Sequence, residues 1–127
     1  KIKKLLSKKK IVICDRFIDS TSAYQVYGKG VDKKLIDIIH KYILKDLKPD
    51  ITFILKVKIS KAIKRLNNRK IKNRYDKFSK SFYIRVQKAF IKIAKQNKNR
   101  CIVIDNSKDT TYTEKMIFDN FLKAYNR

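Results

Sequence analysis

An arginine and several polar side chains follow the first apolar run of the chain, where an α/β protein often places its chemistry. Asp15 and Arg16 come directly after this run, and three polar residues follow within the next few turns: Ser20, Tyr24 and Gln25. An arginine there offers a planar fork of N–H donors to a phosphate, and the adjacent aspartate can accept a sugar hydroxyl or a metal-bound water. Asp15 and Arg16 would equally serve as a structural ion pair that caps the next helix. Residue chemistry alone leaves both interpretations open.

Three short apolar runs predict the strands that position these residues. The runs are Lys10–Cys14, Thr52–Val57 and Arg100–Ile104, each too short for a helix and typical of buried parallel strands. Helical patterns separate them, which predicts an α/β fold with a mostly parallel sheet. In such a sheet, ligands bind beyond the carboxyl ends of the strands. The residues just after each strand are therefore the first candidates for a site.

The helical patterns have recognisable starts and apolar faces. One helix is predicted over Ile18–Tyr27, one is N-capped by Asp32, one by Ser60, and a long one follows residue 77. A last helix opens with the capping box Thr111-x-x-Glu114. We expect one face of the Asp32-capped helix to carry Leu35, Ile39, Tyr42, Ile43 and Leu47, and the last helix to turn Ile117, Phe121, Leu122 and Tyr125 inward. Between Asn67 and Lys77 the apolar content collapses, which predicts a solvated loop.

The formal charge of +23 suggests a nucleic-acid-binding protein, because clustered cations release counterions from phosphate backbones. However, 27 of the 34 basic residues are lysines, spread along the whole chain, and together with abundant isoleucine and asparagine they indicate an AT-rich genome. We therefore treat most of the charge as compositional background. A non-catalytic basic protein that binds nucleic acid remains an alternative interpretation.

Export, membrane insertion and metal binding receive little support from the sequence. No stretch approaches the ~20 apolar residues of a membrane span, and Lys1–Lys10 lacks the apolar run of a signal peptide. Cys14 and Cys101 fit neither a disulfide framework nor a metal-ligand spacing. We expect a cytoplasmic protein without a metal site of its own. His40, among charged neighbours, is expected at the surface.

The motifs, taken in order, resemble thymidylate kinase, a P-loop enzyme family. The resemblance rests on Asp15-Arg16-aromatic with Ser20 and Ala23-Tyr24-Gln25, then Lys48-Pro49-Asp50, Ala62-x-Lys64-Arg65, Arg74-Tyr75-Asp76, Phe82-x-x-Arg85-Val86 and Ile104-Asp105-Asn106. These matches keep the family's order and spacing over nearly the whole chain. The resemblance implies transfer of the γ-phosphoryl of Mg-ATP to dTMP, giving dTDP, in a three-layer P-loop NTPase-like fold. It also implies a homodimer for the complete protein, with no membrane or nucleic-acid partner.

The resemblance also implies roles for individual residues. Arg16 would hold the dTMP phosphate and Asp15 would organise the same site, while Ser20, Tyr24 and Gln25 would meet the base, the sugar and the pocket wall. Arg65 would stack on adenine beside the loop after Asp105 and Asn106. Residues 67–77 would form a lid whose Arg69 and Arg74 act as catalytic arginines. From the residues alone, Arg69 and Arg74 can also be a solvated charge run.

Several departures from the family pattern bear on activity. Lys29 stands where an arginine is usual and lacks its bidentate fork, and Val26 and Tyr27 replace small residues. No G-x-x-x-x-G-K-[ST] motif occurs in a chain with two glycines. That loop cradles the phosphates of ATP and supplies a Mg²⁺ ligand. We therefore expect residues 1–127 to form a partial domain without the amino-terminal strands, inactive alone. A related deoxynucleoside or nucleotide kinase is the second enzyme interpretation.

Overall fold

Two of the apolar runs form a parallel pair of strands. The computed structural model describes residues 1–68, 78–107 and 110–126. Within them, β1 (Thr52–Lys56) and β2 (Cys101–Asp105) run parallel, with Thr52 opposite Cys101 and Lys56 opposite Asp105. Parallel neighbours need a long crossover because the chain must return to the same end of the sheet. Two helices provide it here, α4 (Ile59–Asn67) and α5 (Lys80–Gln96). The predicted α/β class and parallel pairing are confirmed.

The predicted strand at Lys10–Cys14 is wrong. This segment forms no ladder with any strand in the described part of the chain, and most of its side chains are exposed, Ile11 by 59% and Ile13 by 94%, whereas Val12 is half-buried. A strand needs a neighbour to satisfy its backbone N–H and C=O groups, and without one those groups bond to water. The β-branched composition of this segment favours a strand, but no strand is hydrogen-bonded to it among the described residues.

Six α-helices and one π-helix account for the remaining regular structure in the described ranges. Before β1 lie α1 (Ile2–Leu6), α2 (Ile18–Thr21), the π-helix Ser22–Gly28 and α3 (Lys33–Leu44). After β2 comes α6 (Thr110–Tyr125). We call α2 together with the π-helix the cleft helix, Ile18–Gly28. The helix predicted at this place exists, but its second half has the wider π turn, which commonly occurs at functional sites.

The main apolar core lies between the cleft helix and α5. Its buried members are Ala23, Phe82, Val86, Ala89 and Ile93. The last four recur at helical spacing along α5, as predicted. A smaller cluster of Ile54, Ala94 and Cys101 joins α5 to the sheet. The cleft helix therefore packs on α5, and α5 packs on the two strands.

Close approach at the end of the cleft helix requires a glycine. A Cβ atom added to Gly28 would lie 2.7 Å from Cε2 of Phe82 and 3.0 Å from Cγ2 of Val86. The Arg85 guanidinium donates a hydrogen bond of 3.1 Å to the Gly28 carbonyl oxygen. The absence of a side chain at this position thus lets the backbone of the cleft helix touch α5.

The helix caps and faces agree with prediction only in part. Asp32 does N-cap α3, accepting a hydrogen bond of 2.8 Å from the Lys34 N–H. By contrast, Lys58 rather than Ser60 precedes α4, and Thr111 lies inside α6 rather than at its N-cap. The predicted apolar face of α3 is largely exposed, with Tyr42 at 85%, and α6 leaves Leu122 and Tyr125 exposed as well. Helical spacing thus identifies the apolar face of a helix, but it does not show whether another element packs against that face.

Candidate functional site

The residues after the first apolar run converge on one cleft. Its volume is about 350 Å³, at the lower end of the range for small-molecule sites. One wall comes from the segment at the start of the cleft helix and from the helix itself, and the other from α3. The lining comprises Arg16, Phe17, Ile18, Ser20, Thr21, Tyr24 and Gln25 on one side and His40, Ile43 and Leu44 on the other.

Four predicted site residues thus come together, and Asp15 does not join them. Arg16, Ser20, Tyr24 and Gln25 all line the cleft, whereas Asp15 is exposed and outside the lining. The alternative interpretation, an ion pair between Asp15 and Arg16, is not among the ion pairs of the described residues. Arg16 instead places its guanidinium carbon 5.0 Å from the centroid of the Tyr24 ring, a cation–π geometry.

Arg16 adopts a backbone conformation that few non-glycine residues adopt. Its φ angle is +64°, in the left-handed region. Such conformations cost of order 1–3 kcal/mol and cluster at binding and catalytic sites. Here the chain bends between the Lys10–Cys14 segment and the cleft helix. The arginine is thereby directed back over Tyr24, two helical turns further along.

The charge of the cleft favours an anionic ligand. Among its described lining residues, Arg16 carries a fixed positive charge, His40 is ionisable, and none is a carboxylate. Ser20, Thr21 and Gln25 add neutral hydrogen-bonding groups, while Ile43 and Leu44 provide an apolar surface. This combination suits a molecule with one phosphate or carboxylate and a partly apolar, hydrogen-bonding ring.

Tyr24 links the cleft to the core. Its ring lies 6.0 Å from that of Phe82 and 6.2 Å from that of Phe90, between centroids, in tilted and edge-on arrangements. Aromatic pairs of this geometry add about 0.5–1.5 kcal/mol beyond the area that they bury. The packing leaves one side of the ring against α5 and the other under Arg16. Tyr24 is therefore held as a rigid wall of the cleft.

A second group of predicted residues lies at the carboxyl ends of the strands. Asp105 accepts a hydrogen bond of 2.8 Å from the Ser107 N–H, and Asn106 accepts one of 3.1 Å from the Thr113 hydroxyl. The Lys61 ammonium donates to the Ser107 carbonyl oxygen at 2.6 Å. Arg65 is exposed one helical turn after Lys61, on the same side of α4. The side chains of Asp105 and Asn106 thus shape the start of the loop, where the Asn106 N–H donates to the Lys56 carbonyl oxygen and both backbone groups of Ser107 are hydrogen-bonded.

The structure does not merge these two groups into one crevice. Asp19, on the cleft helix, bonds to Thr52 at the start of β1, whereas Ser107 accepts from Lys58 and Lys61 beyond its end. The ends of a five-residue strand are separated by roughly 13 Å. The predicted catalytic residues Arg69 and Arg74, and the predicted lid from residue 69 to 77, lie outside the described residues.

Sequence reasoning missed two features of the cleft. His40, expected at the surface, is half-buried and lines the α3 wall. The signal for it in the sequence is a second stripe at helical spacing, Ile36, His40, Ile43 and Leu44, which competes with the predicted apolar face. The other feature is a buried ion pair between Asp19 and Arg100, 81 positions apart. No local pattern marks such a pair.

A metal ion finds no ready site in the described residues. Across 1–68, 78–107 and 110–126, no three His, Cys, Asp or Glu side chains lie close enough together to hold one. In the same ranges, no helix is long and apolar enough to cross a membrane.

Comparison with known proteins identifies consistent relatives. A family model with the description Thymidylate kinase matches residues 1–117. The thymidylate kinase of Ehrlichia chaffeensis is 49% identical over 109 residues, covering 86% of this chain and 52% of the relative. That of Wolbachia pipientis wMel is 50% identical over 100 residues, covering 78% and 48%. The crystal structure of the Ehrlichia chaffeensis enzyme aligns with a TM-score of 0.70 at 40% identity, over 95% of this chain and 54% of that one. The chain thus spans about half the length of these relatives.

Proposed function

The chain belongs to the thymidylate kinase family, and from this membership we propose that its cleft binds dTMP, the acceptor of a phosphoryl group. The observation that carries the proposal is the cleft itself. Arg16, Ser20, Tyr24 and Gln25, which match the family motif, line one wall, with no carboxylate among the described lining residues. The complete protein then transfers the γ-phosphoryl of ATP to dTMP and forms dTDP in the cytoplasm.

Each cleft residue has a role that its chemistry supports. Arg16 binds the monophosphate, because a guanidinium fork bonds two phosphate oxygens at once. Ser20 and Gln25 bond to the polar edge of thymine, and Ile43 and Leu44 cover an apolar part of the nucleoside. The Tyr24 ring, fixed against Phe82 and Phe90, stands beside the sugar and crowds a 2′-hydroxyl. Asp15 lies outside the cleft lining and therefore makes no contact with dTMP in this proposal.

The donor nucleotide binds elsewhere in this proposal. Arg65 stacks on adenine, and the loop that begins at Asp105 and Asn106 contacts the ring through its backbone. Arg69 and Arg74 neutralise charge on the transferred phosphoryl group, a contribution of about 10³–10⁵ in rate in related enzymes. No phosphate-cradling G-x-x-x-x-G-K-[ST] motif occurs in the 127 residues. A coupled ADP-release assay with ATP and dTMP is therefore expected to show no turnover by this chain alone.

Binding of dTMP tests the proposal directly. Isothermal titration calorimetry compares the wild-type chain with Arg16→Ala, and Lys41→Ala serves as the control because it removes one positive charge from an exposed site on α3. A lost charged hydrogen bond costs about 1.5–3 kcal/mol, so Arg16→Ala should weaken binding roughly 10- to 150-fold. Lys41→Ala should bind as the wild type does. Equal affinities for the two variants would contradict the assignment of Arg16.

Ligand specificity separates the remaining interpretations. A dTMP site should bind thymidine more weakly because the phosphate contact is absent, and should discriminate against dCMP through the base. A protein that binds nucleic acid through its general charge would bind DNA with an affinity that falls steeply with salt, and Arg16→Ala would leave that affinity unchanged. Sedimentation of the full-length protein tests the homodimer that family membership suggests.

A further inference from the structure

A buried ion pair ties the cleft helix to the sheet. The two guanidinium nitrogens of Arg100 donate to the two carboxylate oxygens of Asp19, at 2.7 and 2.9 Å. The same guanidinium donates to the Thr52 hydroxyl at 3.1 Å, and that hydroxyl donates to Asp19 at 3.4 Å. The side chains of Arg100 and Asp19 are only 15% and 11% exposed. We call these three residues the clamp.

The clamp joins elements that are distant in sequence. Arg100 directly precedes β2, and Thr52 is the first residue of β1. Asp19 lies in the first turn of the cleft helix. Its neighbours on both sides, Ile18 and Ser20, line the cleft. The carboxylate that holds the helix is therefore adjacent in sequence to side chains that face the ligand.

Apart from the Arg85 hydrogen bond to Gly28 at its far end, the other contacts of the cleft helix are less directional. Its packing on α5 is made by Ala23, Tyr24 and Tyr27 against apolar side chains, and such packing allows small rotations and shifts along the axis. A bidentate arginine–carboxylate pair has a fixed planar geometry, so it sets both the rotation and the height of the helix. The hydrogen bond that Arg100 donates to Asp19 raises the pKa of Arg100 further above its ordinary value, which keeps that partner charged at every practical pH.

We propose that Asp19, held by Arg100 and Thr52, is a positioning residue that sets the register of the cleft helix so that Ser20 and Tyr24 meet the bound nucleotide. This inference rests on the proposed function for its ligand. It goes beyond that function because it states that two residues outside the cleft, Asp19 and Arg100, influence the affinity for dTMP. A displacement of about 1 Å at a binding site can cost up to 10²-fold in function.

The experiment combines dTMP affinity with local hydrogen exchange. The variants are Asp19→Asn, which removes the charge, and Arg100→Lys, which keeps the charge but loses the fork. Thr52→Val removes only the hydroxyl of the third residue and leaves the ion pair intact. This milder variant tests the proposal even if a charge variant does not fold. The matched control is Asp37→Asn, since Asp37 pairs with Lys33 on the exposed side of α3. Affinities are measured by calorimetry under conditions where circular dichroism shows a fully folded protein.

We expect Asp19→Asn and Arg100→Lys to weaken dTMP binding by about 10-fold or more, Thr52→Val by about two- to fivefold, and Asp37→Asn not at all. Amides of residues 18–28 should lose protection in the first two variants while those of α5 keep theirs. A purely structural pair would lower the free energy of unfolding without changing the affinity of the folded protein. That result, with wild-type affinity in every folded variant, overturns the proposal.

Failure of the proposed function has a different signature. If the wild-type chain does not bind dTMP, the function is refuted and hydrogen exchange alone decides the clamp. Loss of protection confined to residues 18–28 then supports a positioning role. Uniform loss over the described helices, or no loss, overturns it.

Discussion

Replacement of Gly28 by alanine tests the contact on which the geometry of the cleft helix depends. The new methyl carbon would lie 2.7 and 3.1 Å from two ring carbons of Phe82 and 3.0 Å from Val86. Phe82 and Val86 are 3% and 4% exposed, and Phe82 stacks on Phe78 with centroids 4.2 Å apart. The ring therefore has little room to yield. Either the ring or the helix backbone must move.

The magnitude follows from two opposing terms. Overpacking a well-packed core typically costs 1–3 kcal/mol, whereas alanine in place of glycine inside a helix gains about 0.5–1 kcal/mol of backbone entropy. We expect a net loss of about 1–2 kcal/mol in the free energy of unfolding. For a chain of this size that corresponds to a fall of roughly 3–10 °C in Tm. Urea denaturation followed by circular dichroism measures the loss, and a calorimetric scan measures Tm.

Two further variants separate steric crowding from other causes. In a Phe82→Leu background the crowding ring atoms are gone while Val86 remains, so the cost of Gly28→Ala should fall, and the double-mutant cycle should give a coupling of about 1 kcal/mol or more. Gly30 is the control, because its φ angle of +77° penalises alanine although no atom lies within 4 Å of the added carbon. Gly30→Ala should cost about 1–2 kcal/mol equally in both backgrounds. A neutral Gly28→Ala, or a cost that Phe82→Leu leaves unchanged, would refute the close packing of the cleft helix on α5.

Three other predictions concern the thiols and a helix cap. Cys14 is exposed and Cys101 buried, so a thiol reagent at pH 8 should label Cys14 at least about 100-fold faster, and Cys14→Ala should remove the fast phase. Burial raises the pKa of Cys101, so the folded state keeps its proton after the unfolded thiol loses it near pH 8.5. The free energy of unfolding should therefore fall as pH rises above that value, by at most about 1.4 kcal/mol per pH unit. Cys101→Ala should remove this pH dependence, whereas Cys14→Ala should retain it. Urea titrations from pH 7.5 to 9.5 measure the difference. Asp32→Ala should cost about 1 kcal/mol by loss of the N-cap, and Asp32→Asn close to nothing, in the same unfolding assay.

The predicted secondary structure succeeded where a local interaction determines it. Asp32 caps its helix because the side chain bonds to an N–H two residues away. The α5 residues Phe82, Val86 and Ile93 are buried because one apolar stripe on a long helix must find a core. The strand predicted at Lys10–Cys14 was wrong because a strand depends on a non-local interaction. Its strand-like composition needs a partner strand, and none is hydrogen-bonded to it among the described residues.

The candidate site likewise contains residues that local sequence predicts and residues that only packing brings together. Arg16, Ser20, Tyr24 and Gln25 could be grouped in advance because they are close in sequence and match a family motif, and they do share a cleft. Asp15 also fits the motif, yet its side chain lies outside the lining. The α3 wall could not be anticipated, because helical spacing offered two stripes and only the packing decides which one faces the cleft.

By itself the sequence determined the α/β class, the parallel orientation of the strands, the family, and the segment that carries the candidate site. These depend on periodicity, capping and motif order, all of which act between residues near one another in the chain. Only the tertiary structure decided the clamp of Asp19 with Arg100, the contact of Gly28 with Phe82, and the place of His40. Each of these joins residues that are brought together by packing, and the distances that define them have no counterpart in local sequence.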